Sequence, residues 1–128
     1  GITALTPAGN YSVTVTATDS TTGTPLTGSV AFAINVGLLM TPSNTLSPTA
    51  SAGGAVRTIT ATGNTGAVTY ATATTGFTVN SSTGVVSATA GALAANSYAV
   101  VVTATDATAA PGAASAATGT VSFTAVLQ

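Results

Sequence analysis

Histidine, cysteine, glutamate, lysine and tryptophan do not occur in this chain, and Arg57, Asp19 and Asp106 are its only ionised side chains at neutral pH. Lack of cysteine excludes a disulfide framework, a thiolate nucleophile and a thiolate metal site. An enzyme needs groups that move protons or hold charge. The abundant Ser and Thr hydroxyls have no base to activate them, so the residues argue against catalysis and against a resident cofactor. A net charge of −1 produces almost no long-range field, which excludes electrostatic attraction to nucleic acid or to anionic lipid. With 2% of residues charged, the surface has to be made of Thr, Ser, Ala, Gly and Asn, and copies of the chain do not repel one another. Long apolar runs are missing too. The longest, Val30 to Met40, is interrupted by Asn35 and Gly37 and falls far short of the ~20 residues of a membrane span. No basic and apolar leader follows Gly1, so any export signal has been removed or lies outside this sequence.

What the chain does have is alternation, written twice. Tyr98 to Asp106 reads YAVVVTATD, and Tyr11 to Asp19 reads YSVTVTATD. In each copy one parity is apolar: Tyr98, Val100, Val102 and Ala104, or Tyr11, Val13, Val15 and Ala17. In the earlier copy the other parity is Ser12, Thr14, Thr16 and Thr18. Period two predicts strands with one buried and one wet face. Burial of Tyr98, Val100 and Val102 contributes about 5 to 8 kcal/mol as an upper bound.

In chain order, residues 1–10 read as a loop, with Gly9 and Asn10 as the turn signal before a first strand, Tyr11 to Thr18. A connection broken by Gly23 and Pro25 leads to a second strand, Ser29 to Val36, with Val30, Phe32, Ile34 and Val36 on one face. Leu38 to Ser51 contains Pro42 and Pro48 and suits a broken edge strand. Ala55 to Thr62 is a strand, and the Gly63 to Gly66 turn is expected to join it to Ala67–Ala73 as a hairpin. Phe77 to Val79 and Val85 to Ala88 are short strands about an Asn80 to Gly84 turn. Tyr98 to Thr105 and Thr120 to Leu127 close the chain, separated by an Ala/Thr/Pro loop. The Ala-rich stretch 90–95 is too short for a helix to stand alone.

Tyr11 matches Tyr98 and Phe32 matches Phe123, so residues 1–37 repeat only the last two strands of residues 38–128. The expected fold is all-β: a seven-stranded antiparallel Ig-like or cadherin-like sandwich over residues 38–128, preceded by a two-strand partial repeat in residues 1–37.

The run GFTVNSSTGVVSATAGALAANSYAVVVTATD, Gly76 to Asp106, resembles the Ig-like and cadherin-like repeats of bacterial and archaeal surface proteins. Those repeats carry a G-[LF]-x-[LV]-[DN]-x-x-T-G-x-[IV]-S segment followed by a G-x-Y-x-[VF]-x-V-x-A-x-D strand. The resemblance is close over about a third of the chain and extends to the rest by strand order; such motifs specify fold better than function. It implies an extracellular or cell-surface sandwich used as a spacer, adhesive module or assembly unit. Calcium-binding repeats of this kind have several acidic residues at the module junction. One Asp per repeat cannot supply six to eight oxygen ligands, so calcium is not expected.

Each candidate site has a plain structural reading beside the functional one. Asp19 and Asp106 read as turn residues closing strand ends rather than a catalytic pair. Tyr11 and Tyr98 suit tyrosine corners, with ligand stacking as the alternative. Phe32, Phe123, Tyr70 and Phe77 fall on apolar faces and read as core, which leaves no spare aromatic platform for a carbohydrate. Arg57 shares the parity of Ile59 and Ala61 and is expected at a sandwich end or under a neighbour, pairing with an Asp of its own or an adjacent subunit. Asn10 and Asn80 begin Asn-x-Ser patterns for glycosylation, although Asn80 also suits its turn. The first two strands alone would be marginal and would expose an apolar face and open edges. Tyr11, Val13, Val15, Val30, Phe32 and Ile34 are therefore the expected assembly strands of a structural subunit or repeat of a fibre, pilus-like filament or surface layer. Its expected partners are other copies of the chain, with glycans as further partners and neither nucleic acid nor membrane. A binding module for adhesion or carbohydrate, working through the loops 21–27 or 107–118, is the alternative.

Overall fold

The computed structural model describes residues 6–128, so the first five residues of the N-terminal loop lie outside the described residues. Nine strands succeed one another: β1 (Gly9–Thr18), β2 (Thr27–Val36), β3 (Leu39–Pro42), β4 (Gly54–Thr62), β5 (Val68–Ala71), β6 (Phe77–Val79), β7 (Val85–Ala88), β8 (Asn96–Asp106) and β9 (Thr118–Leu127). They form three antiparallel sheets, ordered β1-β2, β3-β4-β7-β6 and β5-β8-β9. The last two stack as a sandwich of seven strands over residues 39–127. No helix occurs among the described residues, and none is long and apolar enough to cross a membrane.

Period two decides which side chains meet between the layers. Val56, Ile59, Phe77, Val86 and Ala88 face inward from the four-stranded sheet and pack on Val100, Val102, Phe123, Ala125 and Leu127 from the three-stranded one. The Phe77 and Tyr98 rings add an edge-on contact, 5.9 Å between centroids at 62°. In β4 the alternation slips by one, because Ala55 pairs with Ser87 and Arg57 with Val86, leaving Val56 as the extra residue of a bulge. The bulge turns Arg57 inward. Its guanidinium lies 4.9 Å over the Phe123 ring and its Nη2 donates to the Thr45 hydroxyl, while Nε is buried with no partner. Among the described residues its contacts are an aromatic face and a hydroxyl rather than an Asp of its own chain.

Two other expectations need correction. β4 and β5 are not a hairpin. β4 pairs with β3 and β7, whereas β5 pairs with β8, so the Gly63 to Gly66 turn carries the chain from one sheet to the other. The reason is local: the Thr65 and Gly66 N–H groups donate to the Asp106 carboxylate at 2.6 and 2.9 Å, tying the turn to the end of β8. Phe32, expected in a core, is 47% exposed, because it sits on the two-stranded sheet.

The turn between β6 and β7 shows why one glycine is needed. Asn80 Oδ1 accepts from the N–H groups of Ser82 and Thr83, each at 3.0 Å. Gly84 closes the turn at φ +70°, and a Cβ there would lie 2.1 Å from the Ile59 carbonyl oxygen. Beyond Ala71, where β5 ends, two hydroxyls continue the pairing of β8. Thr72 Oγ1 donates to the Val101 carbonyl at 2.7 Å, and the Val101 N–H donates to Thr74 Oγ1 at 3.1 Å.

Because Ile59 is fully buried between the sheets and Val15 is half-exposed on the hairpin, the two truncations should separate. In urea unfolding, Ile59→Ala is expected to cost about 2 to 5 kcal/mol. Val15→Ala should change the unfolding of the sandwich by no more than ~0.5 kcal/mol.

Candidate functional site

The hairpin β1-β2 repeats β8-β9 in register as well as in sequence. Tyr11 faces Ile34, Val13 faces Phe32 and Val15 faces Val30. Tyr98 faces Ala125, Val100 faces Phe123 and Val102 faces Val121. The shift is 87 residues in the first strand and 91 in the second, with the difference taken up in the intervening loop. Both hairpins are entered in the same way. Tyr11 Oη donates to the Pro7 carbonyl at 2.8 Å and Tyr98 Oη to the Ala94 carbonyl at 2.9 Å, four residues back in each case.

Their surroundings differ. Val102 and Phe123 are 0% and 8% exposed beneath the four-stranded sheet. On the first hairpin Val15, Val30 and Phe32 are 52%, 60% and 47% exposed, and Tyr11, Val13 and Ile34 are half-buried. The six expected assembly residues therefore lie together on one face of one two-stranded sheet, which no other sheet covers among the described residues. Covering the three most exposed would contribute about 2 to 4 kcal/mol as an upper estimate.

The two aspartates show the same contrast. Asp106, 2% exposed, accepts from the Thr108 N–H two residues on and from the Thr65 and Gly66 N–H groups of the crossing turn. Burial pushes its carboxyl up, but the N–H groups of Thr65, Thr108, Gly66 and Ala107 together hold it below its ordinary value. Asp19 accepts from the Thr21 hydroxyl and N–H and from the Leu26 N–H, all within its own loop. The Thr21 hydroxyl is the main cause of its lowered carboxyl.

The hairpin is seated on the sandwich through its base. Ala8 is buried with Leu38, Ala61, Ala104 and Ala117. The Ala8 N–H donates to the Gly63 carbonyl at 2.9 Å, the Asn10 N–H to the Ser115 carbonyl at 3.4 Å, and the Ala114 N–H to the Asn10 carbonyl at 2.6 Å. A Cβ on Gly9 would lie 2.8 Å from the Ala113 Cβ, so the strand can approach this closely only as glycine. Gly9 and Asn10, expected as a turn signal, are instead the first residues of β1 and part of this joint. Nothing in the sequence marks the joint, since alanines distant along the chain form it. Among the described residues, no three His, Cys, Asp or Glu come together as a metal site.

Asn80 is exposed on its turn, and Asn10 is half-buried at the joint. An open groove of about 410 Å³ lies on the outer side of β8, lined by Ala71, Thr72, Ala73, Thr74, Val101 and Thr103. It offers hydroxyls and methyls but neither charge nor aromatic rings.

No family model matches the chain, and no curated protein matches it in sequence. Among solved structures it is similar to the protocadherin gammaB7 EC3-6 cis-dimer, at 22% identity and a TM-score of 0.50, covering 94% of this chain and 33% of that one. It is also similar to extracellular cadherin domains 1-5 of protocadherin gamma B2, at 16% identity and a TM-score of 0.50, covering 94% and 26%. The chain thus spans a third or less of these two structures. The likeness is one of fold: this is an all-β, cadherin-like sandwich. A match of that breadth reaches beyond the sandwich and takes in much of the hairpin.

A carboxylate held below its ordinary value of 3.8 binds protons less readily folded than unfolded, so its stabilisation is complete above that value and is lost as pH falls through the lower folded one. Thermal melts should therefore be nearly flat above about pH 5 and fall below about pH 4. Asp106→Asn should remove most of that acid limb and lower neutral-pH stability by about 1 to 3 kcal/mol, because the amide cannot accept from all the N–H groups crowded round it.

Proposed function

We propose that this chain is a structural repeat or subunit of an extracellular fibre, pilus-like filament or surface layer, in which residues 1–37 are a partial sandwich completed by strands of a neighbouring unit and residues 38–128 are a whole one. One observation carries this reading. A hairpin identical in register to β8-β9 keeps its apolar face half in water, while the same face of β8-β9 is buried. A two-stranded sheet alone is marginal, so a face with the same pattern in both copies implies a cover. Assembly by strand complementation would bury that face between units, and the Ala8 joint would transmit the orientation of one unit to the next.

The scarcity of charge suits a supporting role. Few groups titrate, so unit contacts built on apolar faces and backbone hydrogen bonds would resist changes of salt and pH. No residue pattern in the sequence supports catalysis, and the reading includes no enzyme activity and no cofactor. The cadherin-like fold agrees with an extracellular setting, where Asn80 on its exposed turn could take a glycan. The hydroxyl-lined groove beside β8 supports a weaker second reading, an adhesive or carbohydrate-binding module; a glycan array probed with the dispersed protein would show binding if that were its role.

Negative-stain microscopy separates these readings. The full chain at high concentration should form elongated assemblies of uniform width, and deletion of residues 1–37 should leave a folded, dispersed sandwich. Dispersed particles for the full chain, or filaments from the deleted one, would sink assembly through the hairpin. If the joint is as dry as its alanines indicate, neither calcium nor a chelator should shift the melting temperature by more than about 1 °C.

A further inference from the structure

We propose that the free edge of β9, from Thr120 to Val126, is a binding slot for an extended peptide segment of a partner protein, one that carries a single acidic side chain for Arg57 to receive. The slot lies on the sandwich itself and makes no use of the β1-β2 face. Sheet edges are ordinarily blunted by shortness, proline, charge or a bulge. β3, β5 and β6, which end the two sandwich sheets elsewhere, are four, four and three residues long. Where β8 runs on past β5, the Thr72 and Thr74 hydroxyls occupy its edge. β9 has none of these devices: it ends its sheet with ten residues, in unbroken register on β8, without proline or charge.

Hydrogen-bond direction alternates along an antiparallel strand. Val101 turns its N–H and C=O away from β9, to Thr74 and Thr72, so Ser122 opposite it turns its own away from β8, and Thr120, Thr124 and Val126 do the same. Both ends of this edge are taken. The Thr118 carbonyl accepts from the Leu38 N–H at 3.1 Å, while the Gln128 N–H donates to the Pro48 carbonyl at 3.0 Å and its carbonyl accepts from the Ala50 N–H at 2.8 Å. Between those points the chain bows away to follow β4, where the Ser43 and Leu46 N–H groups donate to the Thr58 and Val56 carbonyls, each at 2.8 Å. The N–H and C=O groups of Thr120, Ser122, Thr124 and Val126 thus face no strand among the described residues, across a gap of seven residues closed at each end. A short extended segment fits such a gap by adding a strand, whereas the β9 of a second copy is too long for it.

Charge complementarity describes the occupant further. The Arg57 guanidinium rests over Phe123, in the middle of the gap, and its Nε is buried without a partner. A guanidinium offers five N–H donors, and the acceptor that meets this one among the described residues is the Thr45 hydroxyl. Side chains directly opposite one another on paired strands share a face. The residue set opposite Phe123 therefore projects to the side of its ring, toward the guanidinium, where a carboxylate is the complement. A second copy has no carboxylate to spare: Asp106 is buried among N–H groups, and Asp19 accepts from Thr21 and Leu26 in its own loop. The occupant is an acidic segment of another protein, with small uncharged side chains beside the exposed Thr120, Ser122 and Thr124.

The test adds to the full chain an end-blocked peptide as long as the gap, with threonine at alternate positions from its first residue, glutamate at its centre and valine at the two places left. In excess, this peptide should slow amide exchange at Ser122 and Thr124 at least about 10-fold, leaving Phe123, whose N–H already faces β8, unchanged. The same peptide with glutamine at its centre should bind at least ~10-fold more weakly, and Arg57→Gln should bring the two peptides to the same affinity. Unaltered exchange at Ser122 and Thr124, or equal binding of both peptides by the original chain, overturns the proposal. Should Arg57→Gln fail to fold, Thr124→Pro is the second variant: it removes an outward N–H that no strand of the sandwich uses and should abolish binding of the glutamate peptide. Binding that survives Thr124→Pro overturns the proposal too. Protection of Ser122 and Thr124 that rises with concentration of the chain alone would assign the edge to a second copy and overturn it as well.

Discussion

An apolar sheet face in water has to be covered, and this single constraint organises the molecule. Val100, Val102, Phe123 and Ala125 present such a face, and Val56, Ile59, Phe77 and Val86 exist as a sheet mainly to lie on it. The strand order is its consequence: β3, β4, β7 and β6 form one layer, β5, β8 and β9 the other, and the β4-β5 link must cross between them. The same face on β1-β2 poses the same demand, left unanswered among the described residues.

With almost no charge available, polar groups are satisfied by backbone and hydroxyl. Asp106 is held by N–H groups, and Thr72 and Thr74 replace the strand that β5 does not extend to provide. Arg57 rests on a ring and a hydroxyl. Burial still costs the Asp106 carboxylate its hydration, which the N–H groups around it offset, and each arrangement is little affected by salt. The cost is a near-neutral surface without long-range repulsion, which in an isolated molecule invites association and in a fibre or layer permits close packing.

The joint between hairpin and sandwich is likewise built without charge. Alanine methyls and three backbone hydrogen bonds bring β1 against the Gly63 turn and the loop before β9. Gly9 permits contact with Ala113 that any side chain would prevent. The joint is held by close backbone approach and apolar contact, with no acidic residue in it.

Alternation was enough, in the sequence by itself, to establish strands, their inward faces and the sandwich, and to mark residues 1–37 as a repeat of its last two strands, because period two is a local property of the chain. The paired tyrosines and Asp19 were also legible, since each acts within a few residues of itself. Tertiary structure alone decided the rest. The Gly63 to Gly66 turn looks like a hairpin turn until Asp106, forty residues away, takes its N–H groups and draws it across to the other sheet. Arg57 turns inward through a bulge that no local pattern announces, and Phe32 keeps the pattern of a core residue while lying in water. Which face of a strand is apolar is written along the chain; what lies against that face depends on contacts between distant segments, and those exist only once the sheets have stacked.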